Sequence, residues 1–327
     1  MLIFSRGGRG RYVCAEEKEQ DAYKRMERIL SYEIPENFIG HKISEFLHNK
    51  GYSKQNLTVL KRMPESIVVN GVWVHLNERL KAGDVLTVHI TETEVSQKIP
   101  PVELPFPIVY EDEDLVVINK PANMPIHPSM KNYENTLGNA AAYYYEKQGK
   151  PFVYRCINRL DKDTTGLTII AKHLVSCGIL YTAMEQREIK REYIAIVEGE
   201  DIPESGTVDL PLGRKPDSAI ERMVDYEHGD RAVTHYRVLA KGGGLALLSL
   251  HLDTGRTHQI RVHMKEIGHP LIGDFLYHPE NTKMDRQALH ATKLEFTHPI
   301  TGQELVLTAP LPEDMKAALE KAGIRYE

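Results

Sequence analysis

The sequence is poor in cysteine: Cys14, Cys156 and Cys177 are the three in 327 residues, widely spaced and without a CxxC pair. That excludes a disulfide framework and gives no basis for a zinc site. Cys156 and Cys177 read instead as small apolar packing residues. Long apolar runs are lacking too. The longest, such as 115–118 and 245–250, are strand-sized, far short of the ~20 residues a membrane helix needs. After residues 1–4 the chain turns to Arg-Gly-Gly-Arg-Gly-Arg over 6–11 with no apolar signal core, so a cytoplasmic protein without membrane contact is expected. No internal repeat is found. His258 and His263 stand five apart, a poor spacing for one ion on a helix, so no metal site is expected.

An excess of positive charge is also missing, since the net charge is −5, but the distribution is uneven. Residues 92–114 carry seven acidic side chains against one lysine, a balance of −6. Residues 155–191 carry seven basic against four acidic, giving +3, and 254–265 adds Arg256, Arg261 and Lys265 with no acid. A linker is acidic and the motif-bearing segments are basic, which suits a polyanionic ligand better than the total suggests. Length and composition otherwise allow a full catalytic core with a small second domain.

Four segments follow from the pattern. Residues 1–30 read as an extension, in which Ala22, Tyr23, Met26, Ile29 and Leu30 are spaced for a short amphipathic helix. Residues 31–93 read as a small α+β module. It has an apolar helical stripe at Ile43, Phe46 and Leu47, and a second helix opened by Ser53. A hairpin turning at Asn70-Gly71 and a strand over 85–90 complete it. Residues 94–107, rich in Glu and Pro, read as a linker unable to form a packed element. Residues 108–327 read as the main domain. Strands are predicted over 115–119, 168–171, 193–197, 233–239, 245–252 and 304–308, and helices over 136–147, 173–188, 257–267 and 313–321. Helices do not alternate with strands, so the fold class is α+β, with a mixed or antiparallel sheet flanked by helices.

Two stretches carry the chemistry. In 157–172, INRLDKDTTGLTIIAK, Arg159 and Asp161 are two apart and share a side if the segment is extended, and Gly166 reads as a turn feeding an apolar strand. A carboxylate at a strand–loop junction near an arginine can be aimed into a cleft. In 252–265, LDTGRTHQIRVHMK, Gly255 permits a tight turn, and Thr257 is placed to cap a helix burying Ile260, Met264 and Ile267. Arg261 lies beside that face, where an arginine needs an anionic partner. Lys120-Pro121 and His127-Pro128 read as shaping a cleft wall, and Tyr143–Tyr145 as a half-buried helix face.

Taken in order, four stretches closely resemble the RluA-type pseudouridine synthase family: 116–129 (VVINKPANMPIHPS), 157–172, 190–199 (KREYIAIVEG) and 254–274. The resemblance runs from about 108 to 310. The module in front, with its VNG and KAGD turns, resembles the S4 RNA-binding domain. The family resemblance implies an enzyme that isomerises uridine to pseudouridine, with Asp161 as the catalytic aspartate. Arg261 would be its ion-pair partner, Tyr193 would stack on the target base, and Arg159 would fill the space the extruded nucleotide leaves. Spacings agree with the family: 193 − 161 = 32 and 261 − 161 = 100. Two positions depart from its usual pattern, Asn158 where His is common and Thr165 where Ser is. Lys50, Lys54, Lys61 and Arg62 on the S4-like module, with Arg256 and His258, are the expected RNA contacts. The isomerisation exchanges one glycosidic bond for another within the nucleotide, so no cofactor, metal or cosubstrate is called for. Asp161 would act either as a nucleophile or as a base on the 2′ proton. The partner implied is RNA, ribosomal RNA before tRNA, and the chain is taken as a monomer. A non-catalytic RNA-binding protein on the same fold would be signalled by loss of Asp161, Tyr193 or Arg261, all of which are present. A glycosidase would need a second carboxylate flanking the bond, and Asp163 is the sole close candidate.

Overall fold

The computed structural model describes residues 25–130 and 132–326. Its first strand, β1 (Met26–Glu33), occupies part of the stretch whose spacing suggested a helix. Over 26–30 the helix reading is therefore wrong, and the rest of it, like Cys14, lies outside the described residues. Over so short a window, apolar residues three or four apart fit a strand as well, and eight-residue antiparallel pairing with β4 (Val85–Glu92) decides the outcome. Ile29, on the expected helical stripe, faces out, while Leu30 is buried.

Between these strands come α1 (Ile43–Asn49), α2 (Lys54–Leu60), β2 (Ile67–Val69) and β3 (Val72–Trp73). The sheet order is β1-β4-β2-β3. Ser53 caps α2 by accepting from the Asn56 N–H at 3.1 Å. The β2–β3 hairpin turns on Asn70 and Gly71, both at positive φ (51° and 82°), the requirement of a tight type I′ turn. Ile43, Phe46, Leu47 and Leu60 pack on Leu86, Val88 and Ile90. This core also takes in Val175 from the main domain. The two parts are joined by charge as well, through Arg28–Asp114 (2.7 Å) and Arg155–Glu92 (2.8 Å).

The Pro/Glu-rich segment is not the unpacked linker its composition suggested. The Val102 N–H donates to the Asn139 carbonyl (3.2 Å) and the Asn139 amide to that of Pro100 (2.7 Å), while Ile99, Leu104 and Phe106 pack on the main core. Proline leaves few N–H groups to satisfy, so an extended chain can lie on the domain as a strap.

The main domain runs β5 (Ile108–Glu111), β6 (Leu115–Lys120), α3 (Leu137–Glu146), β7 (Arg155–Cys156), β8 (Thr165–Ala171), α4 (Leu174–Glu185), β9 (Lys190–Glu198) and β10 (Ser205–Asp209). It continues with β11 (Leu212–Arg214), β12 (Arg222–Val224), β13 (Val233–Gly242), β14 (Leu245–Leu252), α5 (Gln259–Glu266), β15 (Leu289–Thr297), β16 (Glu304–Thr308) and α6 (Glu313–Lys321). The large sheet is ordered β10-β13-β14-β9-β15-β8-β6-β5, with β16 on β15 and β7 on β8. Its pairs are antiparallel except β15–β8, so it is mixed, as the strand–helix order implies. β8 is buried along its whole length because both faces are covered. Ile170 joins the core shared with α3 and α5, and Leu167, Ile169 and Ala171 join the core shared with Leu180 of α4. Tyr145 stacks on Phe152 (4.1 Å between centroids), donates to Glu111 and is buried, while the half-buried Tyr144 beside it also donates to Glu111.

Candidate active site

Asp161 lies in the irregular segment between β7 and β8, held from three directions. Lys120, at the end of β6, is fully buried, and its Nζ donates to the carbonyls of Pro121 (2.8 Å), Met124 (2.9 Å) and Lys162 (2.9 Å). Burial pushes its pKa down to about 7, against the pull of Asp163 and Asp161. Lys120 therefore fastens the Lys-Pro turn to the residue after Asp161, a stronger role than shaping a wall. Asn158, the departure from the family motif, donates its amide to Leu167 O (3.0 Å) and accepts from the Ile169 N–H (2.8 Å). A side-chain amide does both at once, so it substitutes for a missing strand neighbour. Thr165, the other departure, hydrogen-bonds His290 Nδ1 at 2.8 Å.

Gly166 is not a turn residue. It is inside β8 at φ 113°, where a Cβ would sit 2.2 Å from the Ala291 carbonyl oxygen of the parallel neighbour β15. The close approach of that strand, invisible in the local sequence, requires glycine.

Arg261 comes from α5, 100 residues away in sequence, and its Nη1 donates to Asp161 Oδ2 at 3.1 Å. It is buried (3% exposed), and the fully buried Asp274 grips it through Nε (2.7 Å) and Nη2 (2.8 Å). Burial alone would lower the guanidinium pKa; Asp274 and Asp161 outweigh it and hold the pKa above its ordinary value. The Tyr277 ring lies beneath it at 5.0 Å. Asp274 was within a matched motif but had no role in the sequence reading, since its partner Arg261 lies 13 residues back.

Thr257 does not cap α5. The N-cap is His258, in left-handed conformation (φ 59°) and without a side-chain cap. Gln259 orders the entrance, accepting from the Arg256 N–H (3.0 Å) and donating to Val233 O (2.9 Å). His258 is 3.9 Å from Asp161 through Nε2, and its Nδ1 meets the Tyr277 hydroxyl at 2.8 Å. Burial lowers its pKa and outweighs the opposing charge of Asp161. His263 has both ring nitrogens occupied, by Thr234 (2.9 Å) and Leu210 O (3.0 Å).

These elements open onto a cavity of about 1040 Å³ lined by Arg159, Asp161, Tyr193 and Arg256 among others. Arg159 is exposed there, whereas Tyr193 is 5% exposed. Arg256 pairs with Asp230 at 3.3 Å. Arg191 and His127 also line the cavity and were not singled out from the sequence as RNA contacts. The cations expected on the N-terminal module are exposed and stand outside this lining: Lys54, Lys61, Arg62, and Lys50 over the Tyr32 ring at 5.7 Å. Among the described residues, Asp112, Asp114 and His298 gather three ligand atoms within 4.8 Å. Asp112 is already saturated by the Tyr110 hydroxyl (2.6 Å), His298 (2.7 Å) and two backbone N–H groups, so the cluster is a hydrogen-bond network.

A carboxylate paired to a buried arginine thus opens onto a wide cavity that Arg159, Arg191 and Arg256 also line. A family model described as RNA pseudouridylate synthase matches residues 114–266. The RNA pseudouridine synthase YjbO of Bacillus subtilis is 39% identical over 85% of this chain and 98% of its own length. The ribosomal large subunit pseudouridine synthase D of Escherichia coli strain K12 is 37% identical over 91% and 95%. Among solved structures, human RNA pseudouridylate synthase domain containing 1 superposes with a TM-score of 0.56 at 25% identity, covering 67% of this chain and 89% of that one. The chain belongs to the RluA-type RNA pseudouridine synthase family, and is an isomerase of that class.

Proposed function

We propose that this enzyme converts specific uridines of large-subunit ribosomal RNA to pseudouridine, with Asp161 starting the reaction. The observation that carries the assignment is the 3.1 Å contact between Asp161 and a buried Arg261 that Asp274 immobilises, beside the cavity. The ribosomal target is supported by the relatives named for the large subunit, which match nearly the whole chain. In the reaction the C1′–N1 bond breaks, the uracil turns, C5 bonds to C1′, and the C5 proton leaves as N1 gains one. Asp161 acts at the sugar or the base while Arg261 fixes its orientation. Tyr193 contacts the target base, a contact worth roughly 1–3 kcal/mol where the faces stack. Arg159 occupies the gap left in the RNA when the nucleotide is turned out, a step costing a few kcal/mol that favours loops. The S4-like module over 31–93, its sheet beginning at β1, holds RNA through Lys50, Lys54, Lys61 and Arg62, with Arg256 and His258 at the cavity. The working unit is a monomer.

The test is conversion of unmodified large-subunit rRNA, mapped by carbodiimide-dependent primer-extension stops, beside tRNA as the competing substrate. Asp161→Asn abolishes the stops and keeps RNA binding. Full conversion by that variant would remove Asp161 from its role, and conversion of tRNA alone would overturn the ribosomal target.

A further inference from the structure

The cavity wall holds a cation that neither the fold nor the chemistry above uses. Arg191 stands on β9 two residues before Tyr193, so both side chains leave the same face of the strand, and both line the cavity. Its Nε is buried and has no hydrogen-bond partner among the described residues. Two of the wall carboxylates are engaged elsewhere: Glu192 accepts from Ser249 (2.6 Å), and Glu295 pairs with Lys293 (2.5 Å). A buried guanidinium edge with no acceptor is costly, and it persists where a ligand supplies the acceptor.

Gly255 makes room for this side chain. The left-handed conformation that favours glycine does not occur there. A Cβ would instead sit 3.1 Å from Arg191 Nη1. A methyl at 255 would press on the guanidinium and shift its end by a few tenths of an ångström, whereas the sequence suggested a tight turn.

The ligand's chemistry follows from the neighbours. Arginine presents a planar fork matched to two oxygens of one phosphate. Two residues along a strand span about 6.6 Å, of the order of the reach from a nucleobase to a backbone phosphate. We infer that Arg191 is a phosphate-binding residue, gripping a phosphodiester of the RNA strand beside the nucleotide that meets Tyr193 and Asp161. The inference rests on the proposed function and adds where the substrate's backbone runs: along the β9 side of the cavity, past Gly255.

The experiment measures equilibrium binding of an unmodified large-subunit rRNA transcript and of oligouridylate across a salt series, with steady-state conversion of the transcript. Arg191→Gln is expected to weaken binding of both RNAs by a similar factor, roughly tenfold near 0.1 M salt, because a phosphate contact carries no sequence information. The slope of log K against log salt should fall by about 0.7–0.9, one released counterion. Arg191→Lys should restore most of the slope, and the loss in conversion should lie in KM more than in kcat. An unchanged slope overturns the inference, and so does a loss confined to kcat. Should Arg191→Gln fail to fold, Arg191→Met, which keeps an unbranched stem and removes the charge, gives the same readout. If the wild-type protein converts no uridine, the functional reading fails on that result alone, while the salt slope still decides whether Arg191 holds a phosphate.

Discussion

Replacing Asp274 by asparagine tests whether Arg261 is a positioned partner of Asp161 or only a buried cation. Asp274 is fully buried and accepts from Arg261 at 2.7 and 2.8 Å, and from the N–H groups of Leu276 and Tyr277 at 3.1 Å each. Asparagine keeps the shape and one acceptor oxygen but removes the charge, leaving Arg261 balanced by Asp161 alone. Removing one member of a buried pair costs about 3–5 kcal/mol. At roughly 2–4 °C per kcal/mol for a domain of this size, the unfolding midpoint should drop by about 6–20 °C. The guanidinium then loses one of the three bonds that fix it and the charge behind a second, and a misplacement of ~1 Å at a reacting group costs on the order of a hundredfold in rate.

The assay is single-turnover release of tritium from RNA labelled at uracil C5, because the new bond at C5 displaces that hydrogen. It is run well below the lowered midpoint, with RNA affinity measured in parallel. The expected outcome is a rate reduced by about 10–100-fold with affinity nearly intact, since Asp274 does not line the cavity. A variant that melts early yet reacts at the wild-type rate while folded would show that Asp274 serves stability alone. Wild-type behaviour in both respects would refute the reasoning about the buried pair.

Lys120→Met removes the donor that serves three carbonyls; at about 1–3 kcal/mol for each unsatisfied buried group, urea denaturation should show a loss of several kcal/mol, and an unchanged midpoint would refute the tie. Gly166→Ala should cost at least about 3 kcal/mol, seen as insolubility or a collapsed melting midpoint, because its methyl would meet Ala291 O at 2.2 Å; a soluble variant with the wild-type midpoint contradicts this. His290 is buried and its pKa is held down to about 4, chiefly by burial. The unfolded chain takes up that proton near pH 6.5, so the contribution is full above this value and lost as pH falls toward 4, about 3 kcal/mol in all. His290→Gln should flatten unfolding free energy against pH over that window, and equal slopes for variant and wild type would rule the histidine out.

The elements legible from sequence are those whose signal is local. The strand 245–252 is apolar except for Ser249 and His251 and is buried along most of its length, and α6 repeats apolar residues at helical spacing behind two acids in its first turn. β15 was missed although it lies at the centre of the sheet. Its sequence, LHATKLEFT, interrupts the apolar signal with histidine, threonine and lysine. The histidine is tolerable because Thr165 and the Ala309 carbonyl satisfy its two nitrogens. Gly166 was misread for the same cause, since its requirement is set by β15 and not by its neighbours in the chain. The pairing of Asp161 with Arg261 was legible through motif resemblance, whereas the roles of Asp274, Lys120 and Arg191 depend on partners supplied by other segments.

The unread strand and its approach also hold the site together. Arg286 donates to Asp163 O (3.1 Å), Gln287 to the Thr164 hydroxyl (3.3 Å), and Thr165 meets His290, so residues 286–290 grip the end of the Asp161 segment in succession. Arg286 is in turn gripped by Asp314 in the first turn of α6 at 2.6 and 2.9 Å. The carboxylate is thus set between two arginine systems. Arg261, braced by Asp274, contacts it directly from the α5 side, and Arg286, braced by Asp314, holds the Asp163 carbonyl two residues on from the β15 side. A motif read along the chain contains the first arginine and misses the second, because backbone carbonyls offer hydrogen bonds whatever side chain they carry. Placement of Asp161 therefore depends on residues with no catalytic chemistry of their own, and part of that support comes through the parallel pair β15–β8, where Thr165 meets His290.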